Sequence, residues 1–160
     1  MSPATKKSNY LEAASMIKSL LEDEQDCCLK MVSITAVLKQ SFPQFYWVGF
    51  YRVTPCETKL QVGPYQGTPA CLHIDLGSGV CGTAAAKRKS IIVDDVEQFV
   101  GHIACDPKSK SEIVIPVIGA NNKLIAVLDI DSDSHQNFCS IDQQFLESLC
   151  STHFHDAKRF

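Results

Sequence analysis

The stretch Ser111-Glu112-Ile113-Val114-Ile115-Pro116-Val117-Ile118-Gly119-Ala120-Asn121-Asn122-Lys123-Leu124-Ile125-Ala126-Val127-Leu128-Asp129-Ile130-Asp131 decides how this chain folds. Two runs rich in Ile and Val, 111–118 and 123–131, flank Asn121-Asn122, and Asn tolerates the positive φ of a tight hairpin turn. A two-residue loop there makes an antiparallel hairpin with Glu112 opposite Asp131. Side chains at alternate strand positions share a face, so Glu112, Asp129 and Asp131 converge. Like charges on one face cost stability unless a cation sits among them or burial keeps a proton on one. An ammonium group meets both conditions. The pattern alone also fits acids at a solvated sheet end, and a slipped register would separate them.

Working outward, 45–53 (Phe-Tyr-Trp-Val-Gly-Phe-Tyr-Arg-Val) is aromatic and β-branched, the composition of a mostly buried strand ended by Thr54-Pro55. Residues 59–62 can pair back on it. Leu72, Ile74 and Leu76 alternate with His73 and Asp75 as a half-exposed strand does, before a turn holding Gly77, Gly79 and Gly82. A short helix over 84–87 and a short strand over 91–93 follow. Residues 94–110 then form a long loop without periodicity, holding Phe99, Ile103 and Cys105, too apolar for a mere linker.

Helices bracket these strands. Asn9 and Glu12 have the form of a capping box, with Leu11, Ala14, Ile17, Leu20 and Leu21 at helical spacing. Asp26 caps a second helix carrying Leu29, Val32, Ala36 and Val37, which Pro43 ends. Ser140 with Gln143 caps a last one through Phe145, Leu149 and Cys150. This order predicts a single α+β domain over 1–160 with one central antiparallel sheet.

A chain of 160 residues with 45% hydrophobic and 21% charged residues suits one soluble globular core. Its net charge of −3, without a basic run, argues against nucleic acid and against an anionic membrane surface as partners. The start, Met1-Ser2-Pro3-Ala4-Thr5-Lys6-Lys7, leads into an amphipathic segment rather than a signal sequence, and no apolar run is long enough to span a bilayer. A cytoplasmic location is therefore expected. In that reducing compartment the 8 cysteines are expected as thiols, metal ligands or transient redox pairs rather than permanent cross-links.

Cys27, Cys28 and Cys150 fall in expected helices, and Cys56 and Cys139 in turns with uninformative surroundings. Cys71, Cys81 and Cys105 remain. A zinc site from these and His102 lacks the close spacing of common structural sites, so neither metal nor cofactor is expected. A redox role fits better: a thiolate attacks a substrate sulfur or oxygen, becomes a sulfenic acid, and is cleared by a second cysteine as a disulfide. Thioredoxin-like reductants close such a cycle. The turn Gly77-Ser78-Gly79-Val80-Cys81-Gly82-Thr83 can present backbone amides to an amino-acid carboxylate, or be an ordinary strand-to-helix turn. Trp47 and Tyr51, four apart on one strand face, can wall a methyl thioether or pack in the core. His102, if protonated, can favour a neighbouring thiolate, or be a structural loop histidine.

The stretches Trp47-Val48-Gly49-Phe50-Tyr51, Gly63-Pro64-Tyr65-Gln66-Gly67, Ala70-Cys71, Gly79-Val80-Cys81-Gly82-Thr83-Ala84-Ala85, Gly101-His102-Ile103-Ala104-Cys105-Asp106, Ser111-Glu112-Ile113-Val114 and Val127-Leu128-Asp129-Ile130-Asp131-Ser132 resemble the GAF-domain free methionine-(R)-sulfoxide reductases. The resemblance is dense over 45–132. It implies a GAF-like fold, with the terminal helices on one face of the sheet and an active-site loop on the other. It implies a reductase of free methionine-R-sulfoxide, with Cys105 as nucleophile, Cys71 as principal resolving partner and Cys81 as a third family cysteine. Trp47 and Tyr51 would meet the methyl sulfoxide end, while Glu112, Asp129 and Asp131 would bind the amino group and help protonate the leaving oxygen. Thioredoxin as reductant and a homodimer through the terminal helices are implied too. His73 departs from the family, where Arg is frequent. The same fold also hosts ligand sensors, and thiol sensors of peroxide, without sulfoxide chemistry.

Overall fold

The computed structural model describes residues 2–103 and 105–158, so that Met1, Ala104, Arg159 and Phe160 lie outside the described residues. The elements run α1 (Pro3–Leu20), α2 (Cys27–Ser41), β1 (Trp47–Val53), β2 (Lys59–Gln66), β3 (His73–Asp75), α3 (Gly79–Lys87), β4 (Ile91–Val93), β5 (Ser111–Gly119), β6 (Lys123–Ser132) and α4 (Ser140–Phe154). One sheet has the strand order β3-β2-β1-β6-β5-β4, and every pairing is antiparallel. This is the α+β architecture expected.

The central hairpin reaches the expected register by an unexpected route. Its loop is the three residues Ala120–Asn122, with Asn121 and Asn122 both at φ 56°, and Gly119 faces Lys123. Continued regularly, that pairing would place Glu112 opposite Ile130. The register instead shifts between Val117, which faces Ala126, and Ile118, which faces Leu124, leaving Ile125 as an extra residue in β6. The bulge restores Glu112 opposite Asp131 and Val114 opposite Asp129.

On one face, α1, α2 and α4 cover Val48, Phe50, Ile113, Ile115, Leu128 and Ile130, with Phe42, Phe45 and Phe154 filling the layer between. The buried stripes of the first two helices are Tyr10, Ala13, Ile17 and Leu21, then Met31, Ile34, Val37 and Leu38. Leu11, Leu20, Leu29 and Val32, assigned inward by their spacing, are exposed. The first helix also starts earlier than expected: Ser2 caps it by accepting from Thr5 N at 3.2 Å, and Pro3 occupies the first turn, leaving Asn9 and Glu12 inside the helix. Asp26 caps α2 as expected, accepting from Cys28 N and Leu29 N. No helix among the described residues is long and apolar enough to cross a membrane.

The last helix is capped one residue earlier than Ser140 and Gln143 suggest. Cys139 is its N-cap and donates its backbone N–H to Asp142 at 2.8 Å. Asp142, fully buried, also accepts from Lys6 Nζ at 2.7 Å and Tyr10 Oη at 2.9 Å, tying the first helix to the last. A buried charge pair contributes little net stability, but removing one partner strands the other in an apolar medium. Lys6→Met should therefore lower unfolding stability by about 3 kcal/mol, read as a reduced urea midpoint with an unchanged slope.

Candidate active site

The opposite face of the sheet builds the site. β1 and β6 pair Trp47 with Asp131, Gly49 with Asp129 and Tyr51 with Val127, so Trp47, Tyr51, Asp129, Asp131 and Glu112 all project to one side. With Cys81, His102 and Cys105 they line a cleft of about 570 Å³ including its open mouth. Glycines make room for its indole wall: a Cβ at Gly49 would stand 2.3 Å from the Trp47 ring, and one at Gly67, where φ is +141°, 2.5 Å from it. Trp47 stacks on Tyr65 at 5.2 Å and Tyr51 at 5.8 Å, and donates Nε1–H to Thr68 O at 3.1 Å.

Glu112 and Asp129 are buried rather than at a solvated sheet end, and Asp131 is half-buried. Glu112 and Asp129 are each only 6% exposed. Burial, then the charges of Asp129 and Asp131, holds the Glu112 carboxyl well above its ordinary range. Burial and Asp131 do the same to Asp129. Burial pushes Asp131 up to about 6, opposed by a hydrogen bond from Ser109 Oγ to its Oδ1. Asp129 Oδ1 is buried without a hydrogen-bond partner. An acceptor left so in a buried site wants a donor that enters with charge.

Cys81 lies beneath these acids. Its thiol donates toward Glu112 Oε1 at 3.9 Å, and burial together with Asp129 and Glu112 raises its pKa well above the usual thiol value. It is a protonated thiol rather than a nucleophile. Tyr51 is likewise held protonated by burial and by Asp129, which leaves its hydroxyl a donor at the cleft wall.

Cys71 and Cys105 are joined as a disulfide, with Cα atoms 5.5 Å apart and a sequence separation of 34. Cys105 sits in the 94–110 loop at the cleft, and Ala70, beside Cys71, lines the same space. Asp106 fastens the two segments together, because its Oδ2 accepts from Thr68 Oγ1 at 2.6 Å and from Tyr46 Oη at 2.9 Å. Its Oδ1 accepts from Lys108 N at 2.9 Å, closing an Asx turn. Asp106, Thr68, Tyr46 and Ser109 were not singled out from the sequence, although Asp106-Pro107 beside a cysteine is itself a turn signal. His102 reaches the cleft, but burial lowers its pKa, so it supplies no standing positive charge to a thiolate at neutral pH.

The glycine-rich turn also reaches the cleft through Ser78, Gly79, Val80 and Cys81, at the first turn of α3. Ser78 makes no side-chain cap, so the leading amides of the helix are not satisfied by it. Gly82 is needed for packing, since a Cβ there would stand 2.2 Å from Asp75 O. His73 is exposed and pairs with Gln61, while its neighbour Ile74 is the β3 residue that lines the cleft. His73 thus falls on the outer side of β3.

The geometry has counterparts in known proteins. GAF domain-containing protein A of Dictyostelium discoideum is 44% identical over 149 residues, covering 93% of this chain and 92% of that protein. The free methionine-R-sulfoxide reductase of Escherichia coli is 38% identical over 140 residues, 88% of this chain and 83% of the enzyme. The X-ray structure of free methionine-R-sulfoxide reductase from Neisseria meningitidis in complex with its substrate superimposes with a TM-score of 0.88 at 38% identity, over 94% of this chain and 89% of that one. The family model described as GAF domain matches residues 22–152. On that match and these identities, the chain belongs to the GAF-domain family.

Proposed function

We propose that this protein reduces free methionine-R-sulfoxide to methionine. The observation that carries the reading is one cleft holding both a Cys71–Cys105 disulfide and a buried, partly unpartnered acid cluster. Relatives and a solved structure described as free methionine-R-sulfoxide reductases, alike over most of this chain, support it.

Substrate ammonium sits among Glu112, Asp129 and Asp131, where Asp129 Oδ1 awaits a donor. The substrate carboxylate meets the leading amides of α3. Trp47 and Tyr51 enclose the methyl sulfoxide end. Cys105 thiolate attacks the sulfoxide sulfur, and a proton from the acid cluster goes to the sulfoxide oxygen. Oxygen is transferred to Cys105 as a sulfenic acid, and the substrate sulfur leaves as the thioether of methionine. Cys71 thiol then attacks Cys105 sulfur, water departs, and the disulfide forms. A thioredoxin-type dithiol returns both thiols, being itself oxidised to a disulfide. Asp106 keeps the 67–72 segment beside Cys105 while the bond is open.

Reduced protein given separated sulfoxides of free methionine should consume R and leave S, while equal use of both, or of neither, sinks the reading. Cys105→Ser should lose the first turnover, and Cys71→Ser should complete one and then stall.

Asp129→Asn should pull stability and activity apart, since it replaces a buried acid whose Oδ1 has no partner until ligand is bound. We expect the free protein to gain about 1 kcal/mol, or about 3 °C in Tm, while kcat/KM falls about a hundredfold. Loss of both together would mark the acid as structural.

Asp131 gives the pH dependence. Its pKa is raised from 3.8 to about 6, so its anion fraction, and with it affinity for an ammonium, declines as pH falls through 6. KM for the sulfoxide should rise below that point. The same shift acts oppositely on the free protein: this group's contribution to stability is fully present below 3.8 and lost as pH rises through about 6.

A further inference from the structure

Cys81 has no step in the proposed reaction, yet it is the one free thiol lodged against the acids. Sγ of Cys81, a carboxylate oxygen of Glu112 and one of Asp129 all lie within 4.8 Å of one another, and all three residues are buried. Asp129 Oδ1, buried in this cluster, has no hydrogen-bond partner. Ligands around a tetrahedral zinc ion stand about 3.3–3.7 Å apart, so a contraction of roughly an ångström would close the three on one ion. The cleft, with Tyr51 and His102 on its walls, leaves a side open for a fourth ligand.

We propose that Cys81, Glu112 and Asp129 form a site for an exchangeable thiophilic divalent cation of the zinc class, which excludes substrate by occupying the ammonium position. The donor set selects the cation. One sulfur and two carboxylates suit zinc-like ions, whereas magnesium and calcium seek six or more oxygens that this cluster does not hold. Binding displaces the Cys81 thiol proton together with any proton carried by Glu112 or Asp129, all of which leave to solvent, and no electrons are transferred. Two carboxylates and a thiolate together outweigh the charge of a divalent ion. None of the three ligands belongs to the disulfide, so the site exists in the oxidised protein. Exclusion of substrate rests on the function proposed above; the cation site itself does not.

The test uses the full chain in its Cys71–Cys105 disulfide form, which removes those two thiols as competing ligands and prevents turnover of added substrate. Cobalt(II), as an optical stand-in for zinc, should give a near-ultraviolet thiolate charge-transfer band saturating at one equivalent. Cys81→Ser and Asp129→Asn should each lose the band, with circular dichroism checking that both remain folded. Free methionine-R-sulfoxide should displace the ion, and zinc should inhibit the reduced enzyme competitively with the sulfoxide. A band that survives Cys81→Ser, arising at another cysteine, overturns the site, as does no band in a protein with normal turnover. A Cys81-dependent band in a protein that turns over neither sulfoxide upholds the site and removes the enzymatic reading instead. A band unmoved by the sulfoxide overturns the shared position.

Discussion

A single extra residue in one strand governs the chemistry of this molecule. The turn at Ala120–Asn122 sets a pairing that would send Glu112 and Asp131 to opposite faces of the sheet, and the bulge at Ile125 reverses it. All three acids then emerge on the face away from the helical layer, beneath α3 and the 94–110 loop. Enclosure there drives the rest. Desolvation raises the carboxyl pKa values, keeps Cys81 protonated and leaves Asp129 Oδ1 without a partner. A solvated cluster of the same residues would be a negative patch with none of these properties.

The two faces of the sheet divide the work. The helical face is aromatic and aliphatic almost throughout, with Phe42, Phe45, Phe50 and Phe154 fully buried, and its one buried ion pair is supplied with Tyr10 and a backbone N–H as further donors. That layer can support an opposite face built from destabilising parts. There the carboxyl groups repel, Gly49 and Gly67 give up side chains to Trp47, and a long loop is held by Asp106, Ser109 and the disulfide. Stability is concentrated where chemistry is not needed.

Strand content and the acid convergence were legible because period-two alternation and Asn121-Asn122 are local signals. The register came out as expected through two compensating departures, a longer loop and a bulge, neither marked in a uniformly apolar run such as Leu124-Ile125-Ala126. The helices were harder. In α1 apolar residues occupy two faces, so Leu11 and Leu20 compete with Tyr10, Ala13 and Ile17, and only packing chooses. Capping followed the earlier Ser2-Pro3 signal over Asn9-Glu12. The tethering role of Asp106 could not be read, beyond the local turn signal of Asp106-Pro107: its partners Thr68 and Tyr46 are 38 and 60 residues away, and hydrogen bonds of that span leave no periodic trace.

The acid cluster also bears on which form of methionine such a cleft can accept. In a free amino acid the nitrogen is an ammonium with three donors and a full charge. Within a peptide it is a neutral amide with one donor. Inside a desolvated site, exchanging the first for the second would leave Glu112, Asp129 and Asp131 without a counter-charge and Asp129 Oδ1 with at most a neutral partner. Sites that bury groups for one substrate reject an analogue lacking the matching group far more sharply than apolar pockets reject a changed shape. The shape of the cleft, lined by Trp47 and by Ser78, Gly79, Val80 and Cys81, is thus a secondary filter. On the proposed reaction, selectivity for the unattached amino acid follows from charge burial, and charge burial follows from the register of one hairpin.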